Sequence, residues 1–236
     1  MTCSIASVYG PSPSPPSSTT CGRPVDQGQA LWAGGWLCRP TRAPAAGALP
    51  ERHLQVDHPG ELVQLDCFCI GRLSGTKGTV WQDTAIDVAS AYTWATLQVT
   101  RRNPAATWTS QLARQLAADL AARGWTLERA MSDNASEFSS ATFQATITKL
   151  GARHSFIRAG RPQTNGCVER VQQTILDECW KPAFARYLIP KQTGLKLDLE
   201  RYLHYYNTER AHTGRWTHGR TPDEVLGKAK LWHKKR

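Results

Sequence analysis

Residues 61–100 read ELVQLDCFCIGRLSGTKGTVWQDTAIDVASAYTWATLQVT. Three extended segments follow one another here. Glu61–Ile70 is an apolar run with Asp66 inside it. Gly78–Val88 is rich in Val, Thr, Trp and Ile, and SGTKG before it reads as a turn. Thr93–Thr100 alternates, with Ala95, Leu97 and Val99 on one face and Trp94, Thr96 and Gln98 on the other. Side chains two apart share a face of a strand, so Gln64, Asp66 and Phe68 point one way and Leu65 and Cys67 the other. A charged Asp in a central strand is costly unless it is paired or binds a metal. Asp66 therefore reads as functional in preference to a solvated edge residue.

Downstream the period changes. Asn103-Pro104 suits a helix cap followed by a first-turn proline. Trp108, Leu112, Leu116 and Leu120 recur every four residues, and Gly124 closes that helix. Leu127–Asp133 is a fourth strand, Glu137–Leu150 a helix ended by Gly151, and Ala152–Arg158 a short fifth strand. The loop AGRPQTNG leads into a helix over Cys167–Ala183, whose apolar stripe is Val168, Val171, Ile175 and Cys179. A last long helix covers Leu195–Glu209. This order implies an α/β domain with a mixed sheet.

Upstream, residues 1–50 differ in kind. PSPSPPSSTT and TRAPAAGALP are Pro-punctuated and show no sustained period, which predicts a low-complexity, disordered segment. No helix-turn-helix is legible there. The whole chain of 236 residues has room for one good-sized domain plus tails. Its net charge of +10 and pI of about 9.5 suggest a polyanionic partner, nucleic acid being the usual one. The seven cysteines are odd in number and form no CxxC pair, which fits a reducing cytosol better than a disulfide framework. His53, His58, Cys67 and Cys69 do not make a zinc site, because the cysteine pair has the wrong spacing and lies within a strand, its members pointing the same way beside Asp66. No run of about 20 apolar residues is present and the start lacks a signal-peptide pattern, so the expected location is cytoplasmic, with no membrane contact.

Two further acids stand out beside Asp66. Asp133 ends the fourth strand, where α/β sheets commonly place ligand groups, although a turn-forming Asp before Asn134 is the ordinary alternative. Glu169 lies just inside its helix, where an acid also suits the helix dipole. Between Asp133 and Glu169 lie 35 residues. Three carboxylates brought together would form an oxygen-rich pocket for hard divalent cations.

The words around these acids are more specific than the spacing. SDNASEF (132–138), RPQTNGCVER (161–170) and YYNTERAH (205–212) follow in that order. Together they resemble the integrase-type catalytic core of DDE transposases, the superfamily of retroviral integrases and many bacterial insertion-sequence transposases. The resemblance covers residues 57–227 and leaves 228–236 as a basic tail. It implies an RNase H-like fold, a five-stranded mixed sheet flanked by helices. It implies Asp66, Asp133 and Glu169 as catalytic residues holding two Mg²⁺ ions, with Mn²⁺ able to substitute. The partners implied are DNA, as transposon ends and target, and further copies of the chain once DNA is bound. The reaction implied is strand cleavage followed by strand transfer, with no covalent enzyme–DNA intermediate.

Other residues carry smaller roles in this reading. Asn134 and Glu137 shape the site. Arg161, Gln163, Thr164, Asn165 and Arg170 are candidate contacts to the DNA backbone or a nearby base, a plain solvated charge being the alternative for the arginines. Tyr206, Asn207, Arg210 and His212, with Thr221-Pro222 beyond, pack the last helix against the core. The chain also departs from many relatives. Ala135 stands where they have Gly, at a tight turn expected to want positive φ. Asp87 and Ser90 form a D-x-x-S word followed by Ala91, not Arg. Two alternatives remain open from sequence: a truncated, catalytically silent transposase remnant that still binds DNA, and an RNase H-like nuclease.

Overall fold

The computed structural model describes residues 56–73, 77–157, 165–187, 189–214 and 217–227. Three strands come first: β1 (Val63–Arg72), β2 (Thr79–Asp87) and β3 (Thr93–Thr100). They pair antiparallel, Asp66 opposite Thr84 and Thr84 opposite Ala95. Then follow α1 (Ala106–Ala122), β4 (Arg129–Ser132), α2 (Ser136–Ser139), α3 (Ala141–Lys149) and β5 (Arg153–Phe156). β4 joins β1 in parallel and β5 joins β4 in parallel, which gives the order β3-β2-β1-β4-β5. The chain ends in helices: α4 (Gly166–Ile175), a π-helical turn (Leu176–Trp180), α5 (Lys181–Arg186), α6 (Gln192–Thr208) and α7 (Pro222–Leu226). β1, the strand that carries Asp66, lies at the centre of the sheet. This is the five-stranded mixed sheet with flanking helices that the sequence implied.

Alternation along the strands builds two cores. Val63, Leu65, Ala85 and Trp94 face α1 and α3, meeting Leu112, Leu116, Leu120, Phe143 and Ile147. Ile70, Val80, Ile86 and Leu97 face the C-terminal helices, meeting Val168, Val171, Ile175, Trp180, Leu195 and Leu199. Trp180 is fully buried, and its indole N–H donates to Gln82 Oε1 at 2.7 Å, so the polar handle is satisfied at depth.

Several local expectations are corrected. Asn103 does not cap α1. The N-cap is Ala105, whose N–H donates to Gln98 Oε1 at 3.0 Å, so a strand side chain does the work of a cap. Trp108 is 38% exposed and lies off the α1 stripe, whose first turn instead buries Thr109 and Ser110. The helix expected over 137–150 breaks at Ser140, which has extended dihedrals and caps α3 by accepting from the Phe143 N–H. The helix expected over 167–183 holds its course only through a π-helical turn. Pro182 at the start of α5 has no N–H to continue the ladder, and the wider turn accommodates that gap. Cys67, Cys167 and Cys179 are free thiols. Residues 1–50 and the 228–236 tail lie outside the described residues.

Two words from the sequence are explained by packing. Asp87 is fully buried and accepts from the Gly60 N–H (2.8 Å), the Ser90 N–H (2.7 Å) and the Ser90 hydroxyl (2.6 Å). Gly60 has φ +83°, and a Cβ there would strike the Thr126 carbonyl. The positive φ expected at Ala135 is absent, since φ there is −65°; it occurs at Ala91, at 62°, after the D-x-x-S word. In YYNTERAH, Asn207 trades two 2.9 Å hydrogen bonds with the backbone of Thr93, locking α6 to the start of β3. Arg210 pairs with Glu178 at 2.8 Å, and His212 meets Tyr206 edge to face. Thr221 and Glu224 form a capping box for α7, with Pro222 in the first turn, on a T-x-x-E pattern in the sequence.

Candidate active site

Asp66 sits near the middle of β1, between two covered faces. Its carboxylate accepts from the Cys67 N–H at 2.8 Å. The parallel register that sets Gln64 beside Met131, carried on two residues, brings Asp66 level with Asp133 just past the end of β4. Asp133 Oδ1 accepts from the Ala135 N–H at 3.1 Å, so it also makes the turn into α2. Both readings of Asp133, ligand and turn-former, are compatible with that position.

Glu169 arrives from the other layer. It is the fourth residue of α4, and the neighbouring Val168 N–H donates to the buried Gln64 Oε1 at 3.2 Å. That bond ties the start of α4 to β1 two residues before Asp66. Glu169 itself is exposed, and burial of part of the group pushes its carboxyl up.

The electrostatics link the three acids. The Asp66 carboxyl is pushed up from 3.8 to about 7, first by burial, then by the nearby Asp133, with Glu169 adding to it. The Cys67 N–H and the Gln172 amide act in the opposite direction. Gln172 lies one turn beyond Glu169, and its amide nitrogen completes no hydrogen bond of good geometry despite facing Asp66. Sequence reasoning passed over Gln172, although its i+3 spacing from Glu169 puts both on one helical face. Among the described residues, no group of three or more His, Cys, Asp or Glu side chains stands close enough to hold a metal ion as placed.

A second missed feature supports the Asp133 end of β4. Gln144 Nε2 donates to His154 Nδ1 at 2.6 Å and to the Phe138 carbonyl at 2.8 Å. With Nδ1 accepting, His154 Nε2 carries the proton and donates to Ser132 Oγ at 3.0 Å, and that hydroxyl donates to the Asp133 carbonyl at 2.9 Å. Burial lowers the His154 pKa, consistent with the neutral ring this chain requires. His154 is wedged edge-on between Phe143 and Phe156.

The remaining predicted residues scatter. Asn134 is exposed beside Asp133. Glu137 is 6% exposed in α2, takes a 3.2 Å hydrogen bond from Ser136, and acts on Cys67 and Asp83 more than on the triad. Arg170 is exposed next to Glu169. Asn165 precedes α4 and is 3% exposed, with its Oδ1 unpartnered, so in this conformation it offers no surface to DNA. Arg161, Gln163 and Thr164 lie outside the described residues.

Known proteins share this fold. Two models of the integrase core domain match, one over residues 56–162 and the other over 150–222. No curated protein matches the chain. A chain of the simian T-cell lymphotropic virus intasome, in complex with PP2A regulatory subunit B56 gamma, superposes with a TM-score of 0.60 at 18% identity, covering 75% of this chain. The present chain spans 58% of the length of that one. The HTLV-2 integrase catalytic core domain in complex with magnesium gives 0.54 at 19% identity, over 72% of this chain and 97% of its own. The catalytic core domain of BIV integrase gives 0.52 at 19%, over 75% and 99%. At such identities the likeness shows a shared fold, the RNase H-like sheet and helices of integrase cores. With the two family matches together running from residue 56 to 222, the chain belongs to the integrase core domain family.

Proposed function

We propose that the chain cuts and joins DNA strands at the ends of a mobile element, using Asp66, Asp133 and Glu169 with divalent cations. The observation that carries this reading is the state of Asp66. A carboxyl in the middle of the central strand, pushed up to about 7 by burial and by two further acids, is a costly arrangement for a purely structural residue. A hard cation would offset that cost. The donors on offer are carboxylate oxygens, which suit Mg²⁺ or Mn²⁺, and a magnesium complex exists for the similar HTLV-2 core.

Asp66 and Asp133 would hold a shared ion from strands of fixed register, and Glu169, exposed on α4, would turn inward to complete the set. When bound, a pair of such ions supplies charge neutralisation for the attacking and leaving oxygens of a phosphodiester. The residues of this chain do the rest. The register of β1 and β4 sets the separation of the two aspartates. The Cys67 N–H holds one Asp66 oxygen, and the His154–Ser132 chain steadies the backbone of Asp133. Arg170, exposed beside Glu169 on α4, would meet a phosphate. Arg161, Gln163 and Thr164, in the stretch leading into that helix, are proposed to follow the same backbone. DNA is the substrate, and a homo-oligomer on DNA is the expected working form.

A Mn²⁺-dependent nicking or strand-transfer assay on branched DNA, wild type against Asp66→Asn, tests the reading. Metal-dependent cleavage should be present in the first and absent in the second. Equal activity in both would remove Asp66 from the mechanism, and cleavage of RNA–DNA hybrids alone would favour the nuclease alternative.

A further inference from the structure

Four cations gather at the far end of the antiparallel half of the sheet. Arg72 ends β1, opposite Thr79, which is opposite Thr100 at the end of β3. Lys77 precedes β2 by two residues, and Arg101 and Arg102 follow β3 directly. All four are exposed, and among the described residues none pairs with a carboxylate. Between residues 67 and 118 the only acids are Asp83 and Asp87, and both are buried, at 1% and 0% exposure. Among the described residues, these three strands and the turns at this end therefore expose no acid of their own. The turn that presents Arg101 and Arg102 is anchored, because the Trp81 indole N–H donates to the Arg102 carbonyl at 3.2 Å.

The position matters as much as the charge. β1 runs from Val63 through Asp66 to Arg72, so the cluster lies beyond the candidate site on the side toward which the strand is heading. Six residues at about 3.3 Å each separate Arg72 from Asp66 by about 20 Å. At one base pair per about 3.4 Å, that is the length of about six base pairs.

We propose that Arg72, Lys77, Arg101 and Arg102 form a second backbone-binding surface for duplex DNA. It grips the duplex about six base pairs from the phosphodiester at Asp66 and reads no sequence. The proposal rests on the DNA-processing reading and extends it to how the chain holds its substrate. Four cations without a carboxylate partner among the described residues, at the paired ends of three strands, suit a polyanion of regular charge spacing better than an acidic protein surface, where carboxylates are irregularly placed.

The test is fluorescence anisotropy with the full chain across a NaCl series, on hairpin-closed DNA duplexes of about 6 and about 25 base pairs, with double-stranded RNA of the longer length as a further arm. Each lost phosphate contact lowers the slope of log K against log salt by about 0.9. Arg101→Glu with Arg102→Glu should lower the slope by about 2 on the long DNA duplex and leave the short one unchanged. Lys149→Glu with Arg153→Glu, an equal charge change at the opposite end of the parallel strands, serves as the control and should leave both slopes near wild type. Arg72→Glu with Lys77→Glu should repeat the effect of the first pair. The proposal is overturned if the first pair and the control lower the slope equally, if the short duplex is affected as much as the long one, or if only RNA responds. Failure of the catalytic reading would look different: wild type would bind DNA with the expected slopes and cut nothing in Mn²⁺.

Discussion

Asp66→Asn should make the metal-free protein more stable while abolishing its activity. Asn keeps the shape of the side chain and an oxygen to accept from the Cys67 N–H, but removes the charge. In the fold the Asp66 carboxyl holds its proton up to about 7, against about 3.9 in an unfolded chain. Below about pH 4 both states are protonated and the burial of a charge costs nothing. Between about pH 4 and 7 the unfolded chain releases its proton first, so native stability falls as pH rises, and above about 7 the full penalty remains. Moving a carboxyl from 3.8 to about 7 corresponds to about 4 kcal/mol at 1.36 kcal/mol per unit, and partial solvent access trims this toward about 2 kcal/mol. Urea unfolding in EDTA at pH 5 and pH 8 measures it. At pH 8 the variant midpoint should lie on the order of 1 M above wild type, for a slope of 2–3 kcal/mol per M (roughly), and the gap should shrink at pH 5. Adding Mn²⁺ should raise the wild-type midpoint and leave the variant nearly unmoved. A variant equal to or less stable than wild type at pH 8 in EDTA would refute the view of Asp66 as a strained carboxylate awaiting a cation.

Glu169→Gln should abolish Mg²⁺-dependent strand cleavage with the far-UV spectrum intact, and the Mn²⁺-induced rise in Tm should shrink; an undiminished rise would return Glu169 to the role of a helix-dipole partner. Asn207→Ala strips the Thr93 N–H and carbonyl of their partners at a buried position, and should cost about 3 kcal/mol in urea unfolding. Ala91→Gly relieves a left-handed residue at φ 62° and should raise stability by about 0.5–1 kcal/mol after the entropic cost of glycine, a gain readable as a small upward shift in Tm.

The primary sequence by itself determined the elements and which side of each faces inward. Period-two alternation placed β3 at Thr93–Thr100, where it is found, and assigned Gln64, Asp66 and Phe68 to one face of β1. The apolar stripe Val168, Val171, Ile175 and Cys179 is buried as its spacing required. These are local properties, set by the repeat of the backbone and by side-chain hydrophobicity. Caps and helix breaks were less legible. Ala105 is capped by Gln98 from a preceding strand, and Trp180, at the end of the π-helical turn before Pro182, donates to Gln82, 98 residues away in sequence.

Tertiary structure alone decided how the acids act on one another. Parallel pairing of β4 with β1 sets Asp133 level with Asp66, and the Val168–Gln64 bond brings the start of α4 to the same strand. The proton-holding tendency of Asp66 follows first from burial and then from the charges of Asp133 and Glu169 nearby, neither of which a linear spacing can express. The same holds for the chain from Gln144 through His154 to Ser132 and for the pairing of the β1–β2 turn with the end of β3, which brings Arg72 and Lys77 to Arg101 and Arg102. Coulomb and hydrogen-bonding interactions depend on distance through space and not along the chain.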